Sequence, residues 1–269
     1  MKNILTAFLL YTFVSFSASA ATVDTIFVFS NSMNKEIKTV VIRPENAKNT
    51  KLATLYLLHG YSGDYSNWVN KVPFIKTLVD RYNYMVVCPD GGFGSWYWDS
   101  PKDKNSRYET FITQELIAAI ESKFEVCKTK GGRAISGLSM GGHGALYLAM
   151  KHQDIYGAVG STSGGVDIKS FPNNWEITRL LGSYAANREV WESHTVMNNL
   201  HLLTPNSLQI FIDCGYDDFF YGVNTKLHNE LLYLNIPHTY LNLPGKHNWE
   251  YWSQSIVYQM AFFDMFFRN

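Results

Sequence analysis

The apolar residues of this chain fall into short runs separated by polar and glycine-containing segments. Residues 55–58 and 85–88 are apolar throughout, which is typical of strands buried on both faces of a parallel sheet. Residues 22–30 and 36–43 flank a polar turn, so we predict a hairpin there. Further short strands are predicted at residues 157–161, 208–213 and 238–243.

Helical periodicity appears between the predicted strands. Ile112, Leu116, Ile120 and Phe124 recur every four residues and predict an amphipathic helix. Other helices are predicted over residues 72–81, after the elbow strand described below, around residues 223–234 and over residues 249–267. Strands that alternate with helices predict an α/β fold with a mostly parallel central sheet and helices on both faces.

Residues 165–205 lack a regular pattern and include Pro172 and Trp175. The segment is too long for a plain connection between two strands, so we predict a small cap insertion. In folds of this kind, the loops at the carboxyl ends of the strands form the binding site.

The first residues resemble a targeting segment. Lys2 precedes an apolar run over residues 4–16, and Ser17-Ala18-Ser19-Ala20 offers an A-x-A cleavage site. We therefore predict a signal peptide at residues 1–20 and a single catalytic domain at residues 21–269, secreted or periplasmic. The run is short for a membrane span, so no stable membrane anchor is expected. A buried first helix is the alternative.

Composition narrows the classes of function. The 269 residues carry 23 basic and 23 acidic side chains and are 46% hydrophobic, which gives no electrostatic case for nucleic acid or an anionic membrane. Cys88, Cys127 and Cys214 are too few for a disulfide framework, although one bridge stays open. We found no zinc-type Cys/His spacing and no phosphate-binding glycine loop, so we expect no cofactor and no metal. The oligomeric state stays open.

The strongest chemical motif is Gly137-Leu138-Ser139-Met140-Gly141. It lies between a short apolar strand and a helical pattern, which is the setting of a nucleophile elbow. The turn is so tight that side chains at Gly137 and Gly141 would collide with neighbouring backbone. Ser139 is therefore the predicted nucleophile, with a purely structural turn as the alternative.

A nucleophilic serine needs a base, and the base needs an orienting acid. In this fold the chain order is serine, acid, histidine, which favours His247 after the last strand over His59 and His143. The acid is predicted to be Asp218, with Asp217 as the reserve. Helix capping by both aspartates is the alternative.

The oxyanion formed during acyl transfer needs two fixed donors. We predict the backbone N–H of Met140, which follows the nucleophile. The second is the N–H of Tyr61, which Gly60 allows to approach closely.

These motifs resemble those of the esterase D-like α/β-hydrolases, close to carbohydrate esterase family 1. The resemblance covers nearly the whole chain after residue 20 and includes GLSMGGHGA at residues 137–145. It implies the α/β-hydrolase fold, Asp218 as the acid and an oxyanion N–H at Tyr61. Lys246 stands where many relatives have glycine before the histidine. The other matching segments are YLLHGYSG at 56–63, PDGG at 89–92 followed by Trp96-Tyr97, CGYDDF at 214–219 and GKHNWEYW at 245–252.

Aromatic residues near the predicted site suggest the substrate. Trp96, Trp98, Phe219 and Trp249 are predicted to contact it, since aromatic faces suit sugar rings and phenolic groups. Packing under the cap is an equal alternative for each residue.

The predicted function is deacylation of plant cell-wall polysaccharides that carry acetyl or feruloyl esters, so the predicted partner is an acylated carbohydrate or a small ester. A generalist short-chain acyl esterase is the main alternative. An acyltransferase is a further one. An inactive glycan-binding relative also stays open, although Ser139, Asp218 and His247 together argue against it.

Overall fold

The computed structural model describes residues 21–45, 47 and 51–268. The signal peptide predicted at residues 1–20 lies outside this part of the chain. The described strands form an eight-stranded sheet in the order β1-β2-β4-β3-β5-β6-β7-β8. The strands are β1 (Thr22–Ser30), β2 (Lys35–Arg43), β3 (Thr54–Leu58), β4 (Met85–Pro89), β5 (Arg133–Gly137), β6 (Ala158–Thr162), β7 (Gln209–Gly215) and β8 (Thr239–Leu243).

The sheet is mostly parallel, as the alternation of elements predicted. Strands β3 to β8 run parallel, while β2 pairs antiparallel with β4 and with β1. Every residue of β3 and β4 is buried, whereas buried and exposed positions alternate from Ile26 to Ser30 of β1 at the sheet edge. Strands in the centre lie between two layers of helices, and an edge strand keeps one face in water.

Helices cover both faces of the sheet because neighbouring residues of a strand point to opposite sides. Tyr56 and Leu58 of β3 join the core under one helix layer, and Leu55 and Leu57 join the core under the other. The helices are α1 (Asn67–Lys71), α2 (Ile75–Tyr82), α3 (Tyr108–Thr110), α4 (Leu116–Lys123), α5 (Met140–Lys151), α6 (Ile177–Leu181), α7 (Arg188–Ser193), α8 (Tyr221–Tyr233) and α9 (Trp249–Arg268).

Two predicted helices differ in detail. The helix expected at residues 72–81 begins only at Ile75, because Pro73 has no N–H and disfavours a helical conformation at Val72. The helix around Ile112 contains a π-helical turn at Phe111–Glu115 between α3 and α4. Phe124, the last apolar residue of that pattern, is extended and ends the helix.

Residues 165–205 connect β6 to β7 through short helical segments that include α6 and α7. Ile177, Leu180 and Trp191 of this segment are buried in the core on the α5 side of the sheet. The segment is therefore packed onto the body of the molecule, and its interpretation as a cap insertion stays a prediction.

The three cysteines form no disulfide bridge with one another. Cys88, Cys127 and Cys214 are free thiols, and Cys88 and Cys214 are buried in strands β4 and β7. Within residues 21–45, 47 and 51–268, no helix is both long enough and apolar enough to cross a bilayer.

Candidate active site

Ser139 lies at the sharp turn between β5 and α5, as the motif predicted. Its backbone has φ 56° and ψ −116°, a strained conformation for a residue with a side chain. A Cβ at Gly137 would lie 2.5 Å from the Gly141 backbone, and one at Gly141 would lie 2.6 Å from the His59 carbonyl oxygen. The Ser139 N–H donates to the Thr162 carbonyl at 2.9 Å, which ties the turn to β6. The two glycines therefore make this turn possible.

The structure brings together Ser139, His247 and Asp218, which come from three separate loops. The Ser139 hydroxyl donates to His247 Nε2 at 2.9 Å. The His247 Nδ1–H donates to Asp218 Oδ2 at 2.8 Å and contacts Oδ1 at 3.0 Å. In this arrangement His247 can take the serine proton while Asp218 holds the imidazole in the required tautomer.

Asp218 and Asp217 have different surroundings although they are adjacent. The Asp218 side chain is fully buried, and its Oδ1 also accepts the Phe220 N–H at 2.8 Å. Asp217 is exposed and its backbone N–H donates to the Gly245 carbonyl. The geometry therefore favours Asp218 over its reserve as the partner of His247.

Aromatic rings contact the His247 imidazole from several sides. The Phe219 ring centroid lies 4.2 Å from that of His247, and Trp252 meets the imidazole edge-on at 5.0 Å. The Trp252 indole N–H donates to Ser163 Oγ at 3.2 Å, which fixes the indole in place. The fixed Trp252 indole limits the rotation of the imidazole, whereas the Phe219 ring is 56% exposed.

The two backbone groups predicted to bind the oxyanion flank Ser139. Met140 is the first residue of α5, where the N–H has no partner within the helix. A Cβ at Gly60 would lie 3.3 Å from the Ser139 Cβ, so the chain just before Tyr61 runs against the serine. Among the described residues, neither the Met140 N–H nor the Tyr61 N–H donates a backbone hydrogen bond. The role of both groups in binding the oxyanion stays a prediction.

Ser139 opens into a cleft of about 180 Å³. Phe219 and Trp249, two of the aromatic residues predicted to bind substrate, line this cleft, and their role also stays a prediction. The complete lining is Gly60, Tyr61, Gly63, Asn67, Leu138, Ser139, Trp175, Phe219, His247, Trp249 and Trp252.

The prediction that Trp96 and Trp98 contact substrate is wrong. Their exposed fractions are 1% and 0%, and neither residue lines the cleft. Their rings stack on each other at 5.5 Å, and the Trp98 indole N–H donates to His143 Nε2 at 3.2 Å. The indole faces that would contact a sugar ring are thus covered by packing against α5.

Trp252 and Asn67 also line the cleft, although the sequence patterns did not predict them there. Trp252 follows Trp249 by three positions in α9, so the two share a helix face, and that spacing could have identified it. Asn67 begins α1, six positions after Tyr61, and the local sequence pattern did not predict that it lines the cleft.

The rival histidines have other partners. His143 is buried, its Nδ1–H donates to the Gly165 carbonyl at 2.9 Å, and burial lowers its pKa to about 3. His59 is also buried and contacts Gly60 and Gly91. Both side chains are occupied within the core. In the part of the chain that the structure describes, no cluster of His, Cys, Asp and Glu side chains could hold a metal ion.

Comparison with known proteins gives a consistent result. The family model Esterase, described as "Putative esterase", matches residues 30–263. An acetyl esterase from Caldicellulosiruptor saccharolyticus is 28% identical over 252 residues, covering 85% of this chain and 93% of the relative. A diacylglycerol acyltransferase/mycolyltransferase Ag85B from Mycobacterium leprae is 28% identical and covers 90% of this chain and 83% of its own length.

The fold matches a solved enzyme structure equally well. A ferulic acid esterase superposes with a TM-score of 0.79 at 28% identity, covering 92% of this chain and 98% of the other.

Proposed function

Because the chain belongs to the Esterase family, we propose that it is an exported Ser-His-Asp hydrolase that removes acetyl or feruloyl groups from plant cell-wall polysaccharides. Its α/β-hydrolase fold and its nature as a serine carboxylic-ester hydrolase follow from that membership and its relatives. The proposal rests on two successive hydrogen bonds, from Ser139 to His247 and from His247 to Asp218, beside a cleft lined by aromatic residues.

In the first half of the reaction, Ser139 Oγ attacks the ester carbonyl carbon while its proton passes to His247 Nε2. The carbonyl oxygen becomes an oxyanion that the N–H groups of Tyr61 and Met140 stabilise. Collapse of this intermediate breaks the bond to the alcohol oxygen, which leaves with the proton from His247. An acyl ester of Ser139 remains.

In the second half, water attacks the acyl ester and gives a proton to His247 Nε2. The second tetrahedral intermediate releases the carboxylic acid, and Ser139 regains its proton from His247. Asp218 accepts the Nδ1–H bond throughout, so it stabilises the imidazolium that forms in each half.

The shape of the cleft supports a small or flat acyl group. Its volume of about 180 Å³ is below the roughly 300–1,000 Å³ of typical ligand pockets. We therefore expect the acyl group to enter and the polysaccharide to stay on the rim. Trp175, Phe219 and Trp249 offer the flat faces that sugar or phenolic rings prefer. An acetyl esterase and a ferulic acid esterase among the similar proteins support the same substrate class.

Two alternatives have support of their own. The small cleft also suits a generalist esterase for short acyl chains. The mycolyltransferase relative supports transfer of the acyl group to a sugar hydroxyl instead of water.

Export rests on the predicted signal peptide, and the exported protein should begin at Ala21 when its N-terminus is sequenced.

A substrate panel tests the proposal: 4-nitrophenyl acetate and butyrate, methyl ferulate and acetylated xylan, with and without a sugar acceptor. We expect acetate release from xylan or ferulate release from methyl ferulate. Hydrolysis of nitrophenyl esters alone would identify the generalist esterase, and acyl sugars as the main product would identify a transferase.

Ser139→Ala is the control for the panel. It should lower kcat/KM by about a thousand-fold or more, since only binding and oxyanion effects remain. A fluorophosphonate probe should label wild-type protein at Ser139 and leave the variant unlabelled. Labelling at another residue would contradict the assignment.

A further inference from the structure

We propose that His59 is a positioning residue that aims the Tyr61 N–H at the oxyanion through the carbonyl of Gly60. The inference rests on the proposed roles of Ser139 and Tyr61 and is independent of the polysaccharide substrate. His59 does not line the cleft, and the mechanism above does not use it.

The key contact is the hydrogen bond from the His59 Nδ1–H to the Gly60 carbonyl at 2.8 Å. This carbonyl belongs to the same peptide unit as the Tyr61 N–H. Because a peptide unit is planar and trans, fixing the direction of its C=O also fixes its N–H, which points the opposite way. The Gly63 N–H donates to the same carbonyl at 3.0 Å, so two donors hold the peptide plane.

The other imidazole nitrogen sets the tautomer. The Gly91 N–H donates to His59 Nε2 at 2.7 Å, so Nε2 carries the lone pair and Nδ1 the proton. Burial lowers the pKa of His59, although the Gly60 carbonyl and the carboxylates of Asp90 and Asp64 oppose this effect. A neutral imidazole is the form that satisfies both contacts.

The loop that contains Trp96, Tyr97 and Trp98 contacts the backbone of His59. The Tyr97 hydroxyl donates to the His59 carbonyl at 3.0 Å, and the Trp96 N–H donates to Met140 Sδ at 3.4 Å. Trp96 and Tyr97 have φ values of 55° and 61°, a conformation that costs energy outside glycine. One strained loop thus touches the chain on both sides of the predicted oxyanion site, which gives its aromatic residues a role without substrate contact.

Two substitutions separate the two bonds of His59. In His59→Asn the amide NH₂ takes the place of Nδ1–H and keeps a donor for Gly60, while Gly91 loses its acceptor. In His59→Gln the longer amide reaches the place of Nε2 and keeps an acceptor for Gly91, while Gly60 loses its donor. Each variant leaves a buried group with one bond fewer, so both should lower the melting temperature by similar amounts.

The expected results differ in catalysis. With 4-nitrophenyl acetate, His59→Gln should lower kcat by about 10- to 100-fold with KM within about twofold, because the oxyanion exists only in the transition state. Binding of an aliphatic trifluoromethyl ketone, whose serine adduct carries an oxyanion, should weaken by a similar factor. His59→Asn should keep kcat within about threefold of wild type.

A purely structural role predicts something else. Equal kcat losses in the two variants, or an unchanged kcat in His59→Gln, would overturn the proposal. Should either variant fail to fold, Tyr97→Phe carries the test, since it removes the donor to the His59 carbonyl. We expect a several-fold lower kcat at unchanged KM, and an unchanged kcat would again overturn the proposal.

Ser139→Ala and fluorophosphonate labelling run beside these variants. Wild-type labelling outside Ser139 would refute the proposed nucleophile, whereas labelling at Ser139 with equal kcat in all His59 variants would refute the positioning role alone.

Discussion

At the scale of single residues, the candidate site depends on small differences between chemically identical neighbours. Asp217 and Asp218 are adjacent carboxylates, yet only Asp218 is buried against His247. The histidines differ in the same way, because His143 and His59 are enclosed in the core while His247 reaches Ser139. Residue type alone therefore does not assign a role.

Asp218→Asn and Asp217→Asn form a matched pair. Asp218→Asn should lower kcat for 4-nitrophenyl acetate by about 10³- to 10⁴-fold, because an amide no longer fixes the productive tautomer of His247. Asp217→Asn should stay within about twofold, since the side chain is exposed and away from the imidazole. Steady-state kinetics with melting curves will measure both. A larger loss in Asp217→Asn would contradict the assignment of the acid.

His143 should make folding stability depend on pH. Its pKa is about 3 in the folded protein and 6.5 in a model peptide, so between these values the unfolded chain binds one more proton. Neutral His143 therefore contributes to the free energy of unfolding above pH 6.5. This contribution is lost as pH falls below 6.5, by about 1.4 kcal/mol per pH unit.

Urea unfolding of wild type and His143→Gln at pH 7.5, 6 and 5 tests this. The stability advantage of wild type over the variant should shrink by about that slope below pH 6.5. An advantage that does not change with pH would contradict the prediction.

At the scale of elements, the loop with Trp96 and Trp98 and the loop with Phe219 have different roles. The first is enclosed against α5 and the chain at His59, while Phe219 is 56% exposed beside the cleft. Replacing a residue in the first loop should therefore disturb folding. Replacing Phe219 should disturb only the recognition of large substrates.

Trp98→Ala and Phe219→Ala test this division. Trp98→Ala should lower the free energy of unfolding by about 3–5 kcal/mol and reduce activity on methyl ferulate and 4-nitrophenyl acetate together. Phe219→Ala should keep the melting temperature and lower kcat/KM for methyl ferulate by about 5- to 150-fold, with nitrophenyl acetate nearly unchanged. Selective loss of methyl ferulate hydrolysis in Trp98→Ala would restore a substrate role for the buried loop.

At the scale of the whole molecule, a buried polar network joins the sheet to α9 beneath the site. Asp213 Oδ2 of β7 accepts from Thr162 Oγ1 at 3.0 Å and from Gln259 Nε2 at 2.6 Å. Gln259 Oε1 in turn accepts from the Ser136 hydroxyl of β5. Among the described residues, no cation pairs with Asp213, and burial raises its pKa to about 6.

Asp213 should give a pH dependence opposite to that of His143. Between its model value of 3.8 and about 6, the folded state holds a proton that the unfolded state has lost. Protonated Asp213 therefore contributes to the free energy of unfolding below pH 3.8. This contribution is lost as pH rises to about 6, by about 1.4 kcal/mol per pH unit.

The stability of wild type relative to Asp213→Asn should therefore fall between pH 5 and pH 6 and then stay level. Urea unfolding at pH 5, 6 and 7.5 measures it. A relative stability that stays level from pH 5 to pH 7.5 would contradict the prediction, because it would show that Asp213 is ionised in the folded protein throughout this range.

The sequence by itself determined the order of the elements, the elbow at Ser139 and the residues that meet there. The periodicity of strands and helices depends only on neighbouring residues, so it is visible in the sequence. The glycines around Ser139 are visible there too, and they are required because the turn leaves no room for side chains. The resemblance to esterase D-like hydrolases strengthened Asp218 and His247, whose distances in the structure agree with the expected arrangement.

Tertiary structure decided which aromatic residues face the cleft and which lie in the core. An indole looks the same in the sequence whether its partner is a sugar or a histidine 45 positions away, as for Trp98 and His143. The bond from Tyr97 to the His59 carbonyl likewise spans 38 positions. Burial depends on which distant segments the fold brings together, and local patterns do not encode that choice.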